Sequence, residues 1–227
     1  PALILDIEAL DRNIAAMAAL TGSKGVALRP HAKTHKGVDI ARRQLAAGVG
    51  GVCCDKMGEA EVLAEGGLTG ILITSPVAAP AAIERLAKLA ANAEGLMAVV
   101  DHPDVAGRTD AALEAAGARL HVVIDIDPGI ARTGVASAEA AVALARAIDR
   151  SPNLDYRGVQ FYCGSQQHIE SYADRRAAIV ERTAYLEEVI AALAEAGFSP
   201  EIVTGSGTGT HRIDLDLGVF TELQAGS

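Results

Sequence analysis

The sequence, 227 residues long, predicts an α/β chain folded as a (β/α)8, TIM-like barrel. Three observations carry this. Short apolar runs alternate throughout with segments of helical periodicity, joined by short connections, which is the pattern of a parallel sheet covered by helices. From Val26 onward eight such runs can be counted, the number that closes a barrel. The polar clusters all follow a strand, at the end of the sheet where barrel sites are built. An open doubly wound sheet is the competing arrangement.

The elements follow in order. Residues 2–6, Ala-Leu-Ile-Leu-Asp, read as a strand ahead of the eight. Ile7, Leu10, Ile14, Met17 and Leu20 fall at helical spacing, and that helix stops near Gly22. Val26-Ala27-Leu28 is the first barrel strand, and a helix over 38–47 stops at Gly48 and Gly50-Gly51. Val52-Cys53-Cys54 is the second strand, followed by a helix over 56–65 closed by Gly66-Gly67. Ile71-Leu72-Ile73 leads into an alanine-rich helix over 80–93. Residues 96–100 and 120–126 are strands, followed by helices over 103–116 and 138–149. A strand over 156–162 precedes a long helix over 169–196 that ends at Gly197. Ile202-Val203-Thr204 opens into a glycine-rich loop, and a strand over 219–223 completes the eight.

Composition narrows the function. Apolar residues make up 50% of the chain but aromatics only 3%, with no tryptophan, so the core is Ala, Val, Leu and Ile. That is the usual filling between helices and buried parallel strands. A formal charge of −9 with no basic face argues against a nucleic-acid partner. No apolar run is long enough for a membrane span, and no signal peptide opens the sequence. Cys53, Cys54 and Cys163 show neither metal nor redox spacing, so a reducing, cytoplasmic setting is expected. Both ends look cut. Residues 1–24 are expected to form a leading strand and helix, the strand pairing with a β domain outside this chain. Residues 25–227 are expected to be the barrel itself.

The chemistry centres on Arg29-Pro30-His31-Ala32-Lys33-Thr34-His35-Lys36, directly after the first strand. Alternation in an extended chain puts Ala27, Arg29, His31 and Lys33 on one face. A buried lysine beside a guanidinium and an imidazole is pushed towards its neutral amine, the nucleophile of Schiff-base chemistry. The competing reading is a solvated basic loop. His31 and His35 have metal spacing only on a helix, which Pro30 argues against, so no metal site is expected in this segment. No Gly-x-Ser-x-Gly elbow is present.

Thr204-Gly205-Ser206-Gly207-Thr208-Gly209-Thr210 follows the seventh strand, where successive N–H groups can cradle a phosphate. No Gly-Lys-Ser/Thr closes it as a P-loop, and too few residues follow for a dinucleotide fingerprint. Ala225-Gly226-Ser227 is a second small turn after the eighth strand. Arg132 sits in a tight loop behind Asp125 and Asp127, where it could form a local salt bridge or donate to a ligand oxygen. Gln160 and Tyr162 share a strand face, and Gln167 and His168 lie just beyond as candidate substrate contacts. A lysine at one strand end and a phosphate cradle opposite suit a ligand with an aldehyde at one end and a phosphate at the other. Pyridoxal 5′-phosphate is such a molecule.

The Arg29–Lys36 stretch resembles the lysine motif of D-threonine aldolases and of D-serine and 3-hydroxyaspartate dehydratases, pyridoxal enzymes with an alanine-racemase-like N-terminal barrel. Gly51-Val52-Cys53-Cys54-Asp55-Lys56, Gln160-Phe161-Tyr162-Cys163-Gly164-Ser165, the glycine loop and Glu222-Leu223-Gln224-Ala225-Gly226-Ser227 resemble further blocks of that family in the same order. Cys163 and Ser206 stand where relatives often have other residues. The resemblance implies that Lys33 holds the cofactor as a Schiff base and that Arg132 reaches its phenolic oxygen. Thr204, Gly205, Ser206, Gly207, Thr208 and Gly209, with Gly226 and Ser227, would bind the phosphate. His31, Tyr162 and Gln224 would lie near the ring. The implied activity is retro-aldol cleavage of D-3-hydroxy amino acids to glycine and an aldehyde. A dehydratase of the same fold, a non-catalytic pyridoxal-phosphate carrier and a sugar-phosphate barrel enzyme are the alternatives. The resemblance also implies a homodimer, a small amino-acid substrate, and a divalent metal (manganese, magnesium, cobalt or zinc) held by a further β domain.

Overall fold

A computed structural model describes residues 4–226 of the chain. Eight strands alternate with eight α-helices: α1 (Ile7–Ser23), β1 (Ala27–Leu28), α2 (Val38–Ala46), β2 (Val52–Cys54), α3 (Met57–Glu65), β3 (Ile71–Ile73), α4 (Pro80–Ala90) and β4 (Met97–Val100) come first. Then follow α5 (Pro103–Ala116), β5 (Leu120–Ile126), α6 (Ala138–Asp149), β6 (Leu154–Phe161), α7 (Tyr172–Glu195), β7 (Ile202–Gly205), α8 (His211–Leu217) and β8 (Glu222–Leu223).

The strands form one parallel sheet in the order β1-β8-β7-β6-β5-β4-β3-β2. The two ends of that order meet. His31 and Cys53 form a parallel bridge, with Cys53 N–H donating to Pro30 O at 2.9 Å and Ala32 N–H to Cys53 O at 2.7 Å. The sheet is therefore closed into the barrel that the strand count predicts. β2, β3 and β4 are buried along their whole length, on the helix side and the barrel side alike. That is why their sequences read as unbroken apolar runs rather than alternating ones.

Helix boundaries follow local chemistry. α5 starts with Pro103 in its first turn and with the His102 ring accepting from Asp104 N–H. It stops at Gly117, whose φ of 63° a side chain would resist. Ser137 and Ser171 cap α6 and α7 through their hydroxyls. Residues 4–6 pair with no strand of this sheet; Ile4 and Leu5 are exposed, and Asp6 caps α1 by accepting from Ala9 N–H. Ala2 and Leu3 lie outside the described residues. α8 has no counterpart among the elements expected from the sequence, because its run of seven residues is too short for helical periodicity to stand out. Among the described residues no helix is long and apolar enough to cross a membrane.

The closed sheet separates two cores. The larger packs helices on the outer face of the strands. The smaller fills the barrel interior with Cys53, Leu72, Met97, Val99 and Val123. Beside this plug the interior turns polar: Asp125, Gln160, Thr204 and Glu222 stand at one register level across β5, β6, β7 and β8, all buried. The site is built on this layer.

Candidate active site

Arg29 points into the barrel and pairs with Glu222 at 2.8 Å, its Nε donating to both carboxylate oxygens at 3.0 Å. The third nitrogen, Nη1, donates to the Gly70 carbonyl, close against Gly51, where no Cβ would fit. Burial of both partners makes this a structural pair. Its charge is spent at the bottom of the layer and is not available to the lysine.

The chain turns after His31, so strand alternation ends there. His31 is buried, and its Nε2 lies 3.0 Å from the Thr74 hydroxyl. That hydroxyl donates to Cys54 O, so the ring must donate to it. Nε2 then carries the proton and Nδ1 accepts, which suits the 3.3 Å bond from the Lys33 backbone N–H. Burial first, and then the charge of Lys33, lower the His31 pKa to about 4, so the ring is neutral. His31 thus sets the backbone position of Lys33. Lys33 itself is exposed at the mouth rather than buried, and the Arg29 guanidinium is paired with Glu222. The expected burial of Lys33 is corrected here. The strand is too short to carry the expected alternation as far as residue 33.

Lys33 opens onto a cleft of about 470 Å³, part of it open solvent, at the C-terminal end of the strands. Tyr162 stands in it with the Lys33 Nζ 5.3 Å from the ring centroid and the Arg132 Cζ 5.6 Å from it. Both distances are within the range of cation–π attraction. Ser206, Gly207 and Gly226 line the same cleft. No acceptor among the described residues takes the N–H of any of these three. Ser206 has a φ of 67°, which turns the loop so that neighbouring N–H groups face one side, the geometry of an anion nest. Gly226 runs so close to the His31 backbone that a Cβ would collide with it. The Thr34 hydroxyl donates to Gly226 O at 2.7 Å and ties the two loops together.

Gln160 and Gln224 also line this cleft, and both are buried. Gln160 Nε2 donates to Thr74 O at 3.0 Å and to Asp125 Oδ1 at 2.9 Å. Gln224 Nε2 donates to Gln160 Oε1 at 3.1 Å and to the Thr204 hydroxyl at 3.0 Å, which donates on to Glu222 at 2.8 Å. Burial pushes the Asp125 carboxyl up to about 6, against the pull of its bonds from Gln160 and Thr133.

Of the residues predicted from sequence, His31, Lys33, Arg132, Tyr162, Ser206, Gly207, Gln224 and Gly226 are brought together in the cleft. Thr204 lies beneath it in the polar layer. Gly205 is buried against Phe161 and accepts from Gln224 N–H at 2.7 Å. Gln167 has its amide occupied by the glycine loop instead of facing the cleft: it accepts from Gly209 N–H and donates to the Thr210 hydroxyl, both at 2.8 Å. Thr208 faces a separate groove against α1, and His168 is exposed at the end of a 3-10 turn (Ser165–His168). Ser227 lies outside the described residues. Asp55, held by Ser75 at 2.5 Å, and Thr74 are cleft residues that sequence reasoning missed. Each follows a short apolar strand, which was the available signal. Asp214 on α8 was also missed; it is buried beside the glycine loop, its Oδ2 has no hydrogen-bond partner, and burial raises the pKa of its carboxyl. Among the described residues no cluster of three or more His, Cys, Asp or Glu could hold a metal ion.

The sequence matches the family described as "Alanine racemase, N-terminal domain" over residues 5–227. It is 40% identical to a 3-hydroxy-D-aspartate aldolase of Paracoccus denitrificans (strain Pd 1222), over the whole of this chain and 59% of that protein. It is 37% identical to a D-threonine aldolase of Arthrobacter sp., over the whole chain and 60% of the relative. The crystal structure of D-threonine aldolase from Filomicrobium marinum superposes with a TM-score of 0.97 at 41% identity, covering all of this chain and 61% of that one. The chain therefore spans about three fifths of the length of these relatives.

Proposed function

Because the chain belongs to the alanine racemase N-terminal-domain family, we propose that it is the pyridoxal 5′-phosphate-holding barrel of a lyase that cleaves D-3-hydroxy amino acids to glycine and an aldehyde. The observation that carries this is the shared cleft: one lysine amine and one set of unpaired backbone N–H groups open onto the same space, with Tyr162 as a wall between Lys33 and Arg132. The fit is chemical. The loop end of the cleft offers N–H donors and the Ser206 hydroxyl, which suits a phosphate. The mouth offers an amine that can attach an aldehyde. When bound, pyridoxal phosphate supplies an electron sink for the pair released as Cα–Cβ breaks.

The chain's own residues have separable parts in this reading. Lys33 would hold the aldehyde end, its backbone positioned by His31. Ser206, Gly207 and Gly226 would hold the phosphate through their N–H groups. Arg132 would donate to the phenolic oxygen, and Tyr162 would pack against the ring and narrow the space open to water. The related aldolases named above act on D-threonine and on 3-hydroxy-D-aspartate, which supports a D-3-hydroxy amino acid as substrate here. The same reading takes the longer protein as a cytoplasmic homodimer with a divalent metal held outside the residues described.

The test is product analysis with the full-length protein. D-threonine should yield glycine and acetaldehyde, and Lys33→Ala should abolish both the products and the visible absorbance of the bound cofactor. Pyruvate from D-serine with no glycine from D-threonine would overturn the lyase reading in favour of a dehydratase.

A further inference from the structure

Among the described residues that line the cleft, Asp55 is the one acid, and the proposed function gives it no part. It is held firmly. The Ser75 hydroxyl donates to its Oδ1 at 2.5 Å, and its own backbone N–H donates to Glu59 Oε2 at 2.9 Å. The other oxygen of Glu59 pairs with Lys36 at 3.3 Å, which ties this wall to the segment that carries Lys33. Asp55 Oδ2 takes no hydrogen bond among the described residues, yet it is not among the buried polar atoms left without a partner. A fixed carboxylate with one accessible oxygen therefore stands in the wall of the cleft.

Its place relative to Lys33 follows from the seam of the barrel. His31 and Cys53 are bridge partners, and Lys33 and Asp55 each lie two residues further along the two adjoining segments. Both line the same cleft. In the proposed function an amino acid takes over the carbon held by Lys33. Its Cα and 3-substituent then sit where the lysine side chain ended, beside the wall that carries Asp55. Two cations line the cleft, Lys33 and Arg132, and that function commits both to the cofactor, while His31 is neutral. A second carboxylate on the substrate would meet Asp55 with no free cation of the cleft to offset it.

Resting on the proposed function, we infer that Asp55 is a specificity-determining residue: it selects D-3-hydroxy amino acids with an uncharged 3-substituent and disfavours those with a second carboxylate. Like charges brought together in a partly dehydrated site repel, and an uncharged group of the same shape escapes that cost. D-Threonine falls in the favoured class and 3-hydroxy-D-aspartate in the disfavoured one. Overall similarity does not separate them, since relatives named for the two substrates are 37% and 40% identical to this chain.

The experiment gives the full-length protein two substrates of one shape, 3-hydroxy-D-aspartate and 3-hydroxy-D-asparagine, and reads glycine release as kcat/KM. In the wild type the amide should exceed the acid by about tenfold, the effect of one like charge in a half-screened site. Asp55→Asn and Asp55→Ser, which remove the charge and keep a polar group, should each bring the two substrates towards parity. A role in folding alone would slow both substrates together and leave their ratio where it was. Parity in the wild type overturns the inference, whether or not the variants fold. So does a ratio that neither variant moves. Borohydride capture of the cofactor on Lys33 separates this from the underlying reading. Capture with equal glycine from both substrates sinks only the role of Asp55, while no glycine from either sinks both.

Discussion

The imidazole of His31 and the hydroxyl of Thr74 lie 3.0 Å apart beneath Lys33, and this contact decides which ring nitrogen is left to receive the lysine backbone. Thr74 comes from the end of β3 and His31 from the seam between β1 and β2, so the lysine is held by two parts of the barrel wall. Thr74→Val removes the acceptor for a buried N–H and should cost about 1–3 kcal/mol of stability. It should also slow cofactor attachment at Lys33. Urea denaturation and the rate of borohydride-trappable attachment measure the two effects; an unchanged attachment rate would show that His31 does not position the lysine.

His31 and Asp125 impose opposite pH dependences on folding. The His31 pKa falls from its ordinary 6.5 to about 4, so the unfolded chain binds the extra proton over that interval and stability drops as pH falls from 6.5 to 4. The Asp125 pKa rises from 3.8 to about 6, so the folded chain keeps the extra proton and stability drops as pH rises from 4 to 6. Asp125→Asn should gain on the wild type as pH rises from 4 to 6, by at most about 3 kcal/mol. His31→Gln should gain on the wild type as pH falls from 6.5 to 4. Melting temperatures at half-unit pH steps give both differences, and differences that stay flat with pH would refute the assignment.

The Arg29–Glu222 pair is nearly sealed from solvent, with 8% and 5% of the two side chains exposed. Removing one partner leaves the other buried and unpaired. Arg29→Met and Glu222→Leu should each cost about 3–5 kcal/mol, and the double variant much less than their sum. Urea midpoints of the three variants test this, and additive losses would mean that the pair is not coupled.

A methyl group at Gly226 would collide with the backbone of His31. Gly226→Ala should therefore strain the turn by about 1–3 kcal/mol. Because the same turn offers its N–H to the cleft, cofactor affinity should fall by roughly tenfold to a hundredfold. Equilibrium titration with pyridoxal phosphate measures the fall, and wild-type affinity would show that this turn is not part of the anion site.

All three cysteines are free and buried. Burial pushes the Cys163 thiol up to about 12 and raises Cys53 and Cys54 further above the ordinary thiol range. Thiolate is the reactive form, so none of them should label with a disulfide reagent in the native state at pH 8, and all three should label in urea. Rapid native labelling at any position would contradict the packing of the barrel interior or of the outer core.

Much of this architecture could be read along the chain. The apolar runs at β2, β3 and β4 marked buried parallel strands because both faces of each are covered. The helices expected over 103–116 and 138–149 coincide with α5 and α6. Lys33, Arg132, Tyr162 and the glycine loop were identifiable because each follows a strand, and strand ends gather at one mouth when the sheet closes.

The sequence by itself determined the barrel and the residue types that meet at its rim, because periodicity and turn chemistry are local properties of neighbouring residues. Only the tertiary structure decided where the charges go. It gave Arg29 to Glu222, 193 positions away, and turned Gln167 from the cleft to the glycine loop. It also linked Thr74, Gln160, Gln224 and Thr204 into one directed relay. Those choices depend on which side chains from distant strands share a level inside the closed sheet. That level is fixed by register and closure, quantities that no single stretch of chain encodes.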